Sequence, residues 1–173
     1  SNPDNPMGTR HDAATIARMV AAVPDGSLLV LDEAYIDFAP DGTAPDIAPD
    51  DPRVIRLRTF SKAHGLAGAR VGYAIGDAAL IGAFNLVRDH FGIGRISQAG
   101  ALAAAQDGDW LAHVRAEVAR ARDRIGAIAA DNGLTAMPSA ASFVAVDCGG
   151  DGGFAKTVLD GLLARDIFVR MPF

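Results

Sequence analysis

A single cysteine, Cys148, stands in a chain of 173 residues, which excludes an internal disulfide and a cysteine-built zinc site. It follows the apolar run Ser142–Asp147 and is expected to be buried and inert. No apolar run is long enough to cross a bilayer and no signal peptide opens the chain, so the expectation is a cytoplasmic protein without membrane contact. A basic excess is missing too. Sixteen Lys and Arg against 21 Asp and Glu leave a net charge of −5, which argues against broad nucleic-acid binding. The basic residues that do cluster, Arg115, Arg120, Arg122 and Arg124, alternate with Glu117 and Asp123 at helical spacing and read as a solvated helix face. His11, His64, His90 and His113 lie without ligand spacing, so no metal site is expected. Internal repeats and low-complexity tracts are also lacking.

What is present is globular composition: 50% hydrophobic and 21% charged residues, enough for one good core or two small ones. The opening Asn2-Pro-Asp-Asn-Pro-Met-Gly8 is all turn chemistry. Apolar spacing predicts a helix over Asp12–Val23, stopped by Pro24-Asp-Gly26. Ser27–Leu31 reads as a strand buried on both faces of a parallel sheet. Asp37–Asp51, rich in Pro, Gly and Asp, is loop. Arg53–Leu57 and Arg70–Ile75 are the next strands, followed by helices over Asp77–Arg88 and Ser97–Gln106. A long amphipathic helix over Trp110–Asn132 ends at a suitable C-cap, Asn132-Gly133. Short strands at Leu134–Met137 and Ser142–Asp147, a helix over Gly153–Arg165 and a terminal strand Ile167–Arg170 complete the chain. A change of character near Asp107 places a domain boundary between residues 95 and 108, dividing the chain into residues 1–100 and 101–173.

The chemistry concentrates in Thr59–Tyr73, where one lysine, two hydroxyls and an arginine lie among glycines between two strands. Lys62 can form a Schiff base with a carbonyl, provided that burial or adjacent positive charge keeps its amine neutral. Arg70, with Ser61 and Thr59, can hold a phosphate. Asp32 falls at the carboxyl end of a strand, where ligand groups of open α/β sheets gather, and would answer a protonated pyridine nitrogen. The plain alternative is that Asp32 or Glu33 caps the following turn. Tyr35 can donate to a ring oxygen or serve as a core aromatic, and Asn5 offers an amide to the same oxygen or simply closes an Asx-turn.

Asn2–Gly8, the run Asp32-Glu-Ala-Tyr-Ile-Asp-Phe38, and Ser61-Lys62 with Arg70 eight residues later together resemble the signature of fold-type I pyridoxal-phosphate aminotransferases, most nearly the histidinol-phosphate aminotransferase branch. That resemblance implies an α/β chain: a three-layer large domain with a mainly parallel sheet, plus a smaller α+β C-terminal domain joined by the long helix. It implies pyridoxal 5′-phosphate as cofactor, Lys62 as Schiff-base lysine and proton shuttle, and Asp32 on the pyridine nitrogen. Asn5 and Tyr35 would hold the ring oxygen, while Ser61, Arg70 and Thr59 hold the phosphate. Arg170 aligns with an arginine that binds substrate phosphate. The implied reaction is ping-pong transamination between an amino acid, or a histidinol-phosphate-like amine, and a 2-oxo acid, by a homodimer. A decarboxylase of the same fold, of the threonine-phosphate type, and a non-catalytic regulatory module are the rivals. Two departures stand out. The family's N-terminal phosphate-binding half and its C-terminal carboxylate-gripping arginine have no counterpart here, so the chain is expected to be a fragment. The segment Pro138-Ser-Ala-Ala-Ser-Phe143 lacks the asparagine that often precedes the phenylalanine.

Overall fold

The computed structural model describes residues 1–172; Phe173 lies outside them. Helix α1 (Ala13–Ala21) starts where Asp12 accepts the Thr15 backbone N–H at 2.7 Å. It is followed by β1 (Leu29–Asp32), β2 (Val54–Thr59) and β3 (Gly72–Gly76), which form one sheet in that order. Strands β1 and β2 are parallel, with Leu29 opposite Val54 and Asp32 opposite Leu57. Strand β3 returns antiparallel to β2, with Thr59 opposite Gly72, so the lysine-bearing segment is the connection between two paired strands.

Helix α1 packs Ile16 and Val20 onto Leu31 and Val54, closing the first core cluster. Only one face of the sheet is covered in this way. Val30 is 53% exposed although Leu31 is 4% exposed, so β1 alternates instead of being buried on both faces. The apolar run was compatible with two-sided burial, but among the described residues α1 packs on one face only.

Helices α2 (Ala78–Phe84) and α3 (Arg95–Gln106) lead to α4 (Gly108–Asp131), 24 residues long and capped by Asp107, which accepts the Trp110 N–H at 3.0 Å. Its other end closes as the Asn132-Gly133 pair predicts. Gly133 takes φ 70°, and Gly133 and Leu134 donate back to the Ala130 and Ala129 carbonyls. Strands β4 (Thr135–Ala136) and β5 (Val146–Asp147) form a small antiparallel pair, and α5 (Gly152–Leu163) follows.

Four expectations need correction. The strand predicted over Ser142–Asp147 shrinks to β5, because the Ser139 hydroxyl accepts the Ala141 N–H and donates to the Phe143 carbonyl, curling that stretch into a turn. Ile167–Arg170 is not a strand. The Ile167 N–H returns to the Leu162 carbonyl to end α5, Asp166 adopts φ 59°, and Phe168 stays 82% exposed with no neighbouring strand among the described residues. Cys148 is half-buried, not buried, since it lies just past the end of β5. The α4 arginines are not uniformly solvated. Arg122 donates to the Ala141 carbonyl at 3.0 Å and Arg115 to Asp41 at 2.7 Å, so both fasten the helix to the loop after β1 or the turn before β5. Among the described residues no helix is long and apolar enough to cross a membrane, and no cluster of His, Cys, Asp and Glu is arranged to hold a metal ion.

Candidate active site

The opening turn is drawn to the end of β1 by main-chain pairing: Asn2 N–H donates to the Asp32 carbonyl at 2.8 Å. The Asn2 side chain, buried, then closes the turn by bonding both backbone groups of His11. Asn5 is thereby presented beside Tyr35, and its amide Nδ2 donates to the Tyr35 hydroxyl at 3.1 Å. Tyr35 itself opens a short 3-10 turn, Ile36–Phe38, and is buried to 7% exposure. Its ring meets Phe143 edge-on, with centroids 5.2 Å apart at 87°. The same cluster contains Phe38, Ala63, Ala141 and, on α4, Leu111, Val114 and Val118.

Lys62 stands over this ring, its Nζ 5.0 Å from the Tyr35 centroid, and is exposed while the adjacent Ala63 is 1% exposed. Burial of Ala63 anchors the loop and leaves the lysine facing outward. Before it, the Thr59 hydroxyl donates to Ser61 Oγ at 2.9 Å and accepts the Ser61 N–H at 3.0 Å, so the two hydroxyls lie side by side. Asp32 is exposed on the open side of β1, one carboxylate oxygen accepting the Ala34 N–H at 2.9 Å; it caps the turn, and its side chain still faces away from the first core cluster. Arg70 takes the left-handed conformation, φ 54°, and its guanidinium donates to the Ala67 carbonyl at 2.8 Å within its own loop. Arg170 lies exposed in irregular chain after α5 and is not part of this grouping.

One buried group next to these residues was not anticipated from the sequence. Glu33, 1% exposed, accepts Arg56 Nε at 3.1 Å, Arg56 Nη2 at 2.8 Å and Arg58 Nε at 2.8 Å. Burial disfavours charge on Arg58, yet the Glu33 carboxylate and the Tyr73 phenol outweigh it and hold the guanidinium above its usual range. The signal available in advance was two arginines at alternate positions of one strand, hence on one face, with an acid at the end of the strand beside it.

These groups form a chemically coherent set: an amine, a phenol–amide pair, a free carboxylate edge and paired hydroxyls around one end of the sheet. Comparison with known proteins gives the set a context. The family model for "Aminotransferase class I and II" matches residues 1–169. A histidinol-phosphate aminotransferase 2 of Pseudomonas aeruginosa is 40% identical over 98% of this chain and 46% of its own length. An aromatic amino acid aminotransferase of Mycobacterium sp. strain KMS is 42% identical over 83% of this chain and 41% of its own length. The crystal structure of histidinol-phosphate aminotransferase from Sinorhizobium meliloti in complex with pyridoxal-5′-phosphate is 50% identical and superposes with a TM-score of 0.96, covering 99% of this chain and 48% of that one. The chain thus spans about half the length of the proteins it matches. Its α/β fold is that of the fold-type I pyridoxal-phosphate transferases. With nearly every residue matched by the family model and two-fifths or more identical to curated members, the chain belongs to the class I and II aminotransferases.

Proposed function

We propose that this chain carries the cofactor anchor of a pyridoxal-phosphate-dependent aminotransferase. The reaction is ping-pong transfer of an amino group between an amino acid, or a histidinol-phosphate-like amine, and a 2-oxo acid. The observation that carries this reading is the convergence of Lys62 Nζ, the Tyr35 ring and the Asn5–Tyr35 hydrogen bond on one small volume. The donor set fits the cofactor. The Tyr35 hydroxyl, oriented by Asn5, suits a ring oxygen; the free oxygen of Asp32 suits a protonated ring nitrogen; the Thr59–Ser61 hydroxyl pair suits a phosphate.

When bound, pyridoxal phosphate supplies an aldehyde for amine exchange and a ring that withdraws electrons from the substrate Cα. Lys62 Nζ, in its neutral form, is the nucleophile for covalent attachment and the base that moves the Cα proton. Asp32 holds the proton on the ring nitrogen. Arg70, whose Nη1 donates to the Ala67 carbonyl in its own loop, would bring its remaining guanidinium donors to the phosphate. Residues 1–100 constitute the large-domain portion, and 101–173 the linking helix with part of the small domain. A homodimer is the working assembly; the exposed apolar residues Leu86, Val87, Phe91 and Ile96, each at least 83% exposed, support a further covering surface.

The test is spectroscopic. With pyridoxal phosphate the protein is expected to develop a band near ~420 nm, fixed by borohydride onto Lys62 and absent in Lys62→Ala. The second lysine, Lys156, paired with Asp160 at 2.9 Å, serves as the internal control and stays unlabelled. No band, or one retained in Lys62→Ala, overturns the assignment. Stoichiometric pyridoxamine phosphate after addition of an amino donor supports transfer; carbon dioxide release without it points to a decarboxylase instead.

A further inference from the structure

We infer that Glu33 is a positioning residue for this site, acting through Arg56 and Arg58 to lock the strand end that carries Asp32 to the strand end that leads into Lys62. The inference rests on the cofactor-anchoring reading above. Glu33 is 1% exposed, and each of its carboxylate oxygens is engaged: Oε1 by the Arg56 fork and Oε2 by Arg58 Nε. Its own N–H donates to the Leu57 carbonyl at 2.8 Å, which carries the β1–β2 pairing one residue beyond the strand. The side chain therefore bonds Arg56 and Arg58 on either side of the very residue its backbone pairs with.

What this holds in place follows from strand geometry. Leu31 and Glu33 point to one face; Val30 and Asp32 point to the other, where both are exposed. Among the described residues the Asp32 side chain has only the Ala34 N–H as partner, so its direction is set by its backbone, and that backbone is held from behind by Glu33. Arg58 immediately precedes Thr59, whose hydroxyl orders Ser61, and Lys62 follows. A shift of Arg58 along β2 is therefore a shift of the hydroxyl pair and the amine relative to Asp32.

Stability alone does not account for three charged residues here. A largely buried ion triad is commonly no more stabilising than a well-packed apolar trio of the same volume. What charged forks add is direction: Arg56 meets the carboxylate through two N–H groups and Arg58 fixes the remaining oxygen. Fixed direction matters where two catalytic groups on different strands must meet one small molecule within a fraction of an ångström.

The experiment compares Glu33→Gln and Arg58→Lys with Val20→Ala, a destabilising change in the α1 core that leaves all three members of the triad in place. Two quantities are read in each: affinity for pyridoxal phosphate added to the apoprotein, and the pH midpoint of the cofactor's absorption band. Glu33→Gln is expected to weaken affinity about tenfold and to move the midpoint by about half a unit or more. Arg58→Lys, which keeps the charge and loses the planar guanidinium whose Nε–H meets Oε2, is expected to move both in the same direction by less, and carries the test if Glu33→Gln does not fold. Val20→Ala is expected to leave both unchanged. Glu33 and Arg58 variants that match Val20→Ala in both readouts overturn the positioning role while leaving the Lys62 assignment intact. Absence of any borohydride-trapped band in the unsubstituted protein overturns both.

Discussion

Gly8 and Ser139 meet where the opening turn of the chain touches the loop before β5. A β-carbon built on Gly8 would lie 2.9 Å from Ser139 Cβ, closer than real side chains tolerate, and a tight 3.3 Å from its Cα. Gly8 also takes φ 74°, and its carbonyl accepts the Ala140 N–H at 2.8 Å. The turn that presents Asn5 is thus seated directly on the loop that supplies Phe143 to the Tyr35 ring.

That seating makes Gly8→Ala costly for two separate reasons. A positive φ penalises an L-residue by about 1–2 kcal/mol, and a methyl group pressed into a packed contact adds about 1–3 kcal/mol. Gly26 provides the comparison, since it has φ 75° and nothing within 4 Å of a built β-carbon. Urea unfolding of both variants is expected to show Gly8→Ala less stable than Gly26→Ala by about 1–3 kcal/mol. Equal losses would mean that the Ser139 contact contributes nothing.

Tyr35 separates packing from chemistry. Its ring packs in the second core cluster and its hydroxyl takes the Asn5 amide at 3.1 Å, a contact reached from the open side because Asn5 is exposed. Tyr35→Phe keeps the edge-on contact with Phe143 and is expected to cost no more than about 1 kcal/mol in unfolding measurements. Tyr35→Ala removes the ring as well and is expected to cost about 3–5 kcal/mol. If Tyr35→Phe proves as damaging as Tyr35→Ala, the hydroxyl is structural and its proposed role toward a ring oxygen loses its ground.

What the chain discloses in advance, and what it withholds, divides by the range of the interaction. The helices over 13–21, 108–131 and 152–163 were legible from local apolar spacing, and each is capped by an aspartate, Asp12, Asp107 or Asp151, that accepts an N–H three residues on. Lys62, Ser61 and Thr59 were readable as a candidate site because their chemistry lies within four residues, and Asp32 and Tyr35 as candidates because they stand at and after the end of a recognisable strand. The Glu33 triad was not. Its partners sit 23 and 25 residues away, and nothing local says that β2 lies beside β1 in the register that joins them. Arg122 misled for the same reason. Helical spacing beside Asp123 describes a solvated face, whereas the carbonyls it serves come from Phe38 and Ala141. The terminal strand failed because strand formation needs a neighbour, and a short apolar run such as Ile167-Phe-Val169 cannot reveal whether one is there.

Arg122 and Arg120 lie on the same helix and are expected to behave differently. Arg122 donates to the Ala141 carbonyl at 3.0 Å, and to that of Phe38 at 3.5 Å, both residues being buried. Arg122→Met leaves those carbonyls without their donor and is expected to cost about 1–3 kcal/mol. Arg120 pairs with Glu117 on a surface where the two side chains are 67% and 51% exposed, so Arg120→Met is expected to cost about 0–1 kcal/mol. A chemical-denaturation series decides it; two equal losses would return Arg122 to the solvated face.

The last expectation concerns acid. Asp12 caps α1, and the hydrogen bonds from Thr15, with Arg18 and Arg10 adding weaker attraction, hold its carboxyl below the ordinary value of 3.8. A carboxyl whose folded value is depressed stabilises the fold fully above the unfolded value and loses that contribution as pH falls through the folded one. Asp12→Asn keeps an N-capping oxygen but removes the titration. The stability advantage of the parent over Asp12→Asn, measured by urea midpoint, is therefore expected to be constant well above pH 3.8 and to shrink as pH drops below it. Asp51, held down in the same way by Arg53, titrates in the same direction, but it does so in both proteins and cancels from the difference. A gap that widens on acidification would show that the Asp12 charge opposes the helix instead of capping it.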